Sequence, residues 1–530
     1  MIAQAHLDLV LLVVLSAVSV LLIVAYHSKV PYPILLVIGG AALGFVPGIP
    51  DVQLNPDVVL ILVLPPLLYS AAFFSSLREL RDNLREISLL AIGLVIFTML
   101  GVAVVAHEVI DGMSWQAAFV LGAVVSPTDP VAASAIASRV GAPRRYVTIV
   151  EGESLVNDAT ALVAYKFAVA AVVSGSFSMA EASGRFVLNA VVGIAIGLAV
   201  GYVVALLRKA LDDAPTEITI SLVTPYFAYL PAEALGVSAV LAAVTAGIYL
   251  GWHSPELITP ATRIQAFSVW EIFVFVLNAA LFVLVGLQLP SVIDGISRLS
   301  MGSIVVDAVV VSAAVIVIRF LWVFPATYAP RLLSRRVRER EPPVPWQFPA
   351  IVAWTGMRGA VSLAAALAIP QTIDGGGDFP QRDLIIFLTY AVILATLILQ
   401  GLTLPGLIKV LDVEDDGNLE QRESKARILA ARAALDRIEE LRDEDWVRDD
   451  SADRMRGMYD FRIRRFSARF DDEDDGAIDE QSYAYQRLRR KVLEAERAEI
   501  IRLRNVGKIN DEIMRRLERD LDLEDTRLEV

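Results

Sequence analysis

Charge is divided so unevenly along this chain that no single solvent accommodates all of it. The first 410 residues hold 22 Lys/Arg and 26 Asp/Glu, whereas the last 120 hold 59 charged residues. Ordinary soluble domains are about one-quarter charged. The first part is therefore too apolar for a soluble fold, and the tail is too polar for a bilayer. Cysteine is absent, which excludes disulfides and thiolate metal sites. The four histidines (His6, His27, His107 and His253) stand singly, which argues against zinc. A net charge of −13 gives no reason to expect a nucleic-acid partner.

Apolar runs long enough for a hydrocarbon core fall at thirteen places: 9–28, 32–47, 57–76, 86–107, 115–138, 146–174, 185–207, 215–232, 236–252, 265–288, 302–329, 348–369 and 384–409. The second, eighth and ninth are short or soft. The first is expected to be retained as a span rather than cleaved, since acidic Asp8 precedes it with no basic segment. Alternate loops differ in Lys/Arg. One set carries 15, among them Arg78, Arg81, Arg144, Arg145 and Arg335; the other carries only Arg185, Arg298 and Arg382. This asymmetry predicts the N-terminus outside and the tail in the cytoplasm of a multi-pass protein. The expected fold is all-α: about 13 transmembrane helices in residues 1–410, then a soluble, charged helical domain over 411–530. Thirteen spans accommodate two inverted six-span repeats and a linker, an arrangement common in transporters.

An ionised side chain at the bilayer centre costs on the order of 3 kcal/mol, so those present point to a site. In the fifth run, Ser126-Pro127-Thr128-Asp129-Pro130 places two prolines three apart, which predicts a broken helix whose freed carbonyls line a cavity. The sixth opens with Glu151-Gly152-Glu153-Ser154-Leu155-Val156-Asn157-Asp158. Ser154 and Asp158 share one helical face, with Glu153 and Asn157 on the adjacent stripe. Such hard oxygens suit an alkali cation better than a soft metal. In the twelfth, Gly356-Met357-Arg358-Gly359 sets a guanidinium between glycines that admit close approach. Arg358 needs a buried partner, and Glu153 is the expected one, as a structural ion pair. Asp307 and Arg319 share the eleventh run, twelve residues apart, and need separate partners. Lys166 either pairs with an acid elsewhere or reaches outward.

The motifs Ser126–Pro130, Glu151–Asp158 and Met357–Ala360, in this order and spacing, resemble those of the bacterial sodium/proton exchanger family, the monovalent cation:proton antiporter-1 group. Trp270-Glu271 and the apolar run to Gly286-Leu287-Gln288 fit as well. The resemblance spans residues 1–410. It implies that Asp158 is the ion- and proton-binding carboxylate, with Asp129, Ser154 and the Thr128 main-chain carbonyl as co-ligands. It also implies that Asn157 is bonded to the Glu153–Arg358 pair, and that one monovalent cation is exchanged per proton. A plasma-membrane homodimer serving pH and sodium homeostasis is the expected setting, with no cofactor beyond the transported ions. One departure stands out: many relatives carry an acid near the site where this chain has Tyr69-Ser70.

Two carboxylates facing one cavity resist joint ionisation. Protons or a cation can neutralise them, but not both together, and that competition suffices for exchange. A potassium/proton antiporter would differ only in the ion. An intramembrane aspartyl protease is a remote alternative: Gly375-Gly376-Gly377-Asp378 fits its Gly-x-Gly-Asp pattern, but lies in a polar loop. A channel would need no titratable pair. In the tail, Ile428, Leu435, Ile438 and Leu441 keep helical spacing. Asp471–Gly476 reads as a solvated break. One or two further helices are expected over 481–519, packing through Leu488, Val492, Leu493, Ile500, Ile501 and Leu503.

Overall fold

The computed structural model describes residues 12, 16, 18–28, 30–47, 54–140, 142–174, 179–297, 300–340, 343–374, 377–411, 418–468 and 477–528. Parts of the first apolar run, together with Lys29, Arg298, Gly375, Gly376 and the 471–476 break, lie outside the described residues. Regular structure among the described residues is helical, apart from an isolated bridge between Thr372 and Asp378. Helices satisfy their backbone groups internally, as lipid demands. Seven segments are long and apolar enough to cross a membrane: Leu84–Val109, Trp115–Ala137, Arg144–Ser174, Gly184–Lys209, Pro260–Gly295, Gly302–Leu333 and Arg382–Leu411. Shorter apolar helices cover Val18–His27, Tyr32–Gly44 and Val58–Phe74. The soft eighth and ninth runs form Ala214–Ala234 and Ala239–Leu257.

Two helices are interrupted at the places their prolines and glycines mark. Trp115–Val125 stops before Ser126 and resumes as Pro130–Val140. Gln347–Trp354 stops before Thr355 and resumes as Ala360–Leu367. Each lies between two long helices, giving triplets over 84–174 and 301–411. The triplets run in opposite senses. Ile318 packs against Gly101, while Trp322 lies over Gly93 and donates to the Leu89 carbonyl (2.9 Å), so Met301–Leu333 is antiparallel to Leu84–Val109. This is the inverted relation expected of a transporter. Elsewhere, glycine permits tight helix contact. A Cβ on Gly40 would strike the Val283 carbonyl, and one on Gly286 the Val37 carbonyl, so Tyr32–Gly44 lies against Pro260–Leu287 backbone to backbone.

The chain divides into two compact units, Met1–Glu414 and Asp415–Val530. The second contains helices Asn418–Leu441, Asp449–Ala468, Ala477–Asn505 and Asp511–Leu528. In the first of these, Ser424 and Ala431 are buried and Ile428, Leu435, Ile438 and Leu441 half-buried, a stripe of helical period. In Ala477–Asn505 the expected packing set is only partly right. Leu493 is buried and Ile500 and Leu503 are half-buried, but Leu488, Val492 and Ile501 are exposed. One face of that helix instead supplies ion pairs to the last helix, such as Arg489–Glu524 and Arg497–Asp522.

Candidate ion-binding site

The two unwound segments cross and bond to each other. The Asp129 N–H donates to the Met357 carbonyl (2.8 Å), and Arg358 Nε donates to the Val125 carbonyl (3.0 Å). Arg358 Nη1 also donates to the Gly356 carbonyl, and its own N–H donates to Thr396 Oγ1 (3.1 Å). Val125 and Gly356 terminate, or lie just beyond, two half-helices whose last carbonyls carry partial negative charge. The fixed cation Arg358 thus offsets the C-terminal ends, fully buried at 1% exposure. Asp129 has the complementary position. It sits at the start of Pro130–Val140, where its Oδ1 accepts from the Val131 N–H (2.9 Å), as an N-cap carboxylate does. Its carboxylate also lies against Gly359, at the start of the other resumed half-helix, where any Cβ would collide with it.

The Arg144–Ser174 helix presents the second carboxylate. Asp158 is about 21 Å along the axis from Arg144 and 7% exposed. Asp158 and Asp129 line one cavity of about 1200 Å³, together with Ser154, Thr128, Ser70 and Ser362. The cavity reaches helix ends at Ser75, Ala142 and Ser254, the face that carries Arg78, Arg81, Arg144 and Arg145. Trp270 forms part of its wall, held by a hydrogen bond from Nε1 to Ser221 Oγ (2.8 Å). Glu271 also lines it and is exposed.

A polar chain links the site to a buried ion pair. Ser154 Oγ donates to the Thr128 carbonyl (2.6 Å). Asn157 Nδ2 donates to Thr128 Oγ1 (2.8 Å), whose hydroxyl donates to Glu153 Oε1 (3.0 Å). The Thr128 carbonyl thus holds Ser154, leaving the serine lone pairs available to an ion. Glu153 is paired, but not with the expected Arg358. Its partner is Arg319, bound through both Nη1–Oε1 (2.5 Å) and Nη2–Oε2 (2.8 Å), at 1% and 0% exposure. Arg319 also donates to the Val352 carbonyl. The correction has a physical reason: Arg358 is already used by carbonyls at the crossing, while Arg319 would otherwise be a lone charge within an apolar helix. Asn157 consequently meets the pair through Thr128 rather than directly. Gly356 gives both guanidiniums room, since a Cβ there would strike Arg319 and crowd Arg358.

Of the other charges singled out, Lys166 pairs with Glu233 (3.0 Å) near solvent. Asp307 lies in a separate cavity of about 1040 Å³ on the opposite face, with Asp111, Asp378 and Asp383. Glu151 accepts from Ser134 Oγ (3.2 Å) at the cavity edge. Sequence reasoning missed Thr396 and Ser362. The available signal was that helix breaks require hydroxyl partners on their neighbours.

Crossed, interrupted helices from inverted triplets, with acidic oxygens at the crossing and a cavity reaching one face, define a secondary transporter rather than an enzyme. Comparison with known proteins names the kind. The family described as sodium/hydrogen exchanger, transmembrane, matches residues 13–410, and the chain belongs to that family. An uncharacterised Na+/H+ exchanger of Mycobacterium tuberculosis is 38% identical, over 98% of this chain and 96% of its own length. A sodium, potassium, lithium and rubidium/H+ antiporter of Bacillus subtilis is 34% identical, over 75% of this chain and 61% of its own. The solved sodium proton antiporter MjNhaP1 of Methanocaldococcus jannaschii, determined at pH 8, shares the fold with a TM-score of 0.60 and 18% identity. The match covers 78% of this chain and all of that one.

Proposed function

We propose that this protein exchanges sodium, or another monovalent cation, for protons across the plasma membrane, by competition of the two for Asp129 and Asp158. The observation that carries the proposal is that Asp129 and Asp158 line one cavity, with neither carboxylate ion-paired among the described residues. Two carboxylates sharing one low-dielectric cavity resist double ionisation, so a cation or protons must neutralise them. Ser154 and Thr128 supply further hard oxygens. The loaded carrier reorients in either state, whereas the empty, charged site crosses poorly because a bare carboxylate near lipid is costly. Arg358 and the Glu153–Arg319 pair fix the geometry. One cation per proton, a homodimeric assembly, a role in pH and sodium homeostasis, and a cytoplasmic tail with the N-terminus outside complete the proposal. The last rests on the Lys/Arg asymmetry of the loops.

The test is purified protein in liposomes containing a pH-sensitive dye, pulsed in turn with sodium, potassium and lithium. Wild-type protein should move protons against the cation gradient, and Asp158→Asn should move none while retaining its elution profile. Full activity in Asp158→Asn would refute the assignment. Potassium deserves equal weight in that series. Where an acid would narrow the site, Ser70 stands instead, its hydroxyl donating to the Leu67 carbonyl (2.9 Å) and lining the cavity. The Bacillus subtilis relative is named for four alkali cations.

A further inference from the structure

Ser362 has a feature that the exchange scheme so far leaves unused. Its residue is 1% exposed, its Oγ has no hydrogen-bond partner, and it lines the cavity that holds Asp129 and Asp158. A serine in a helix ordinarily donates to the carbonyl three or four residues back. Here those residues are Gly359 and Arg358, which precede the helix that starts at Ala360. The unwound backbone, with Gly359 at φ −131° and ψ −161°, turns that option away. A buried hydroxyl left without any partner is costly, and of the unpartnered buried hydroxyls, Thr98 and Thr389 among them, Ser362 lines the cavity of the two carboxylates.

Its place decides what it can serve. Ser362 lies three residues after Gly359, in the first turn of the helix that Gly359 precedes. The Asp129 carboxylate is packed against Gly359 so closely that no side chain fits between. Ser362 therefore lines the cavity on the flank where Asp129 is held, its hydroxyl just beneath the cavity surface. It comes from the second interrupted helix, whereas Ser154 comes from the Arg144–Ser174 helix. An alkali cation that has shed water needs oxygens from several directions, and neutral hydroxyls suit it.

Resting on the exchange reading above, we infer that Ser362 Oγ is a further oxygen ligand of the transported monovalent cation, contributed by the second broken helix. It sets cation affinity rather than the maximal rate. Glycine or alanine at 362 would leave the fold intact and the ion shell one oxygen short.

The experiment is dye-loaded proteoliposomes titrated with sodium, comparing wild type, Ser362→Ala, Ser362→Thr and Asp158→Asn. Ser362→Ala should raise half-saturating sodium about tenfold, with maximal rate within about twofold, the signature of lost ground-state binding. Ser362→Thr, which keeps the hydroxyl, should return half-saturation to within about threefold of wild type. Unchanged half-saturation in Ser362→Ala beside an inactive Asp158→Asn would overturn the ligand role and leave the exchange reading standing. A lowered maximal rate at unchanged half-saturation, unrescued by threonine, would also overturn it, by showing a structural role. An active Asp158→Asn would overturn the exchange reading itself.

Discussion

Neutralising one member of the Glu153–Arg319 pair should be far more damaging than neutralising both. The two residues are 1% and 0% exposed and joined by two bonds of 2.5 and 2.8 Å. Arg319→Gln leaves the buried Glu153 charge with the Thr128 hydroxyl as its remaining hydrogen bond, and Glu153→Gln leaves Arg319 bonded to the Val352 carbonyl alone. Breaking such a pair from one side costs about 3–5 kcal/mol, because an uncompensated ion stays behind. Glu153→Gln with Arg319→Gln removes both charges and leaves two amides able to bond. The double variant should therefore be more stable than the sum of the singles by about 2–3 kcal/mol. Reversible unfolding in mixed detergent micelles, with the four proteins of the cycle, measures this directly. The parallel cycle with Arg358→Gln should show a coupling on the order of 1 kcal/mol or less, since Arg358 answers chiefly to the Val125 and Gly356 carbonyls. A larger coupling for Arg358 than for Arg319 would refute the pairing.

Other outcomes follow from the same geometry. Gly359→Ala should abolish exchange while the protein still elutes as wild type, because the new methyl displaces the Asp129 carboxylate; transport in proteoliposomes reads it. Thr128→Val removes the hydroxyl that joins Asn157 to Glu153, leaving both with one bond fewer. It should cost about 1–3 kcal/mol in the same unfolding assay. Lys166→Ala removes a pair whose side chains are 55% and 40% exposed, so stability should change by less than about 1 kcal/mol and transport not at all.

The break at the prolines, the carboxylates and their shared cavity were legible in the sequence because each is written locally. Pro127 and Pro130 mark that interruption, and the Ser154–Asp158 spacing fixes one helical face; Gly356 and Gly359 were read as admitting close approach, and the interruption between Trp354 and Ala360 was not foreseen. What was not legible depends on three-dimensional crossing. Arg358 looked like the partner of Glu153 because both sit in motif-bearing segments. Its true acceptors are main-chain carbonyls at the ends of half-helices, which no residue pattern announces. Arg319 lies in an otherwise ordinary apolar helix, and only the antiparallel placement of Met301–Leu333 shows that it reaches Glu153. The inverted triplets were invisible for the same reason: their resemblance lies in direction and interruption rather than in residue identity. In the tail, helical spacing correctly marked the stripe through Leu435, but Leu488, Val492 and Ile501 were misread because apolar residues also occur on exposed faces.

Proton release on adding sodium to the purified, weakly buffered protein tests the shared-site competition without requiring transport. A protonated site must surrender protons as the cation enters, so wild type should acidify the medium, and its apparent sodium dissociation constant should rise up to about tenfold per pH unit on acidification. Asp129→Asn with Asp158→Asn should release none. Saturable sodium binding that liberates no protons and keeps the same affinity across pH would contradict the account.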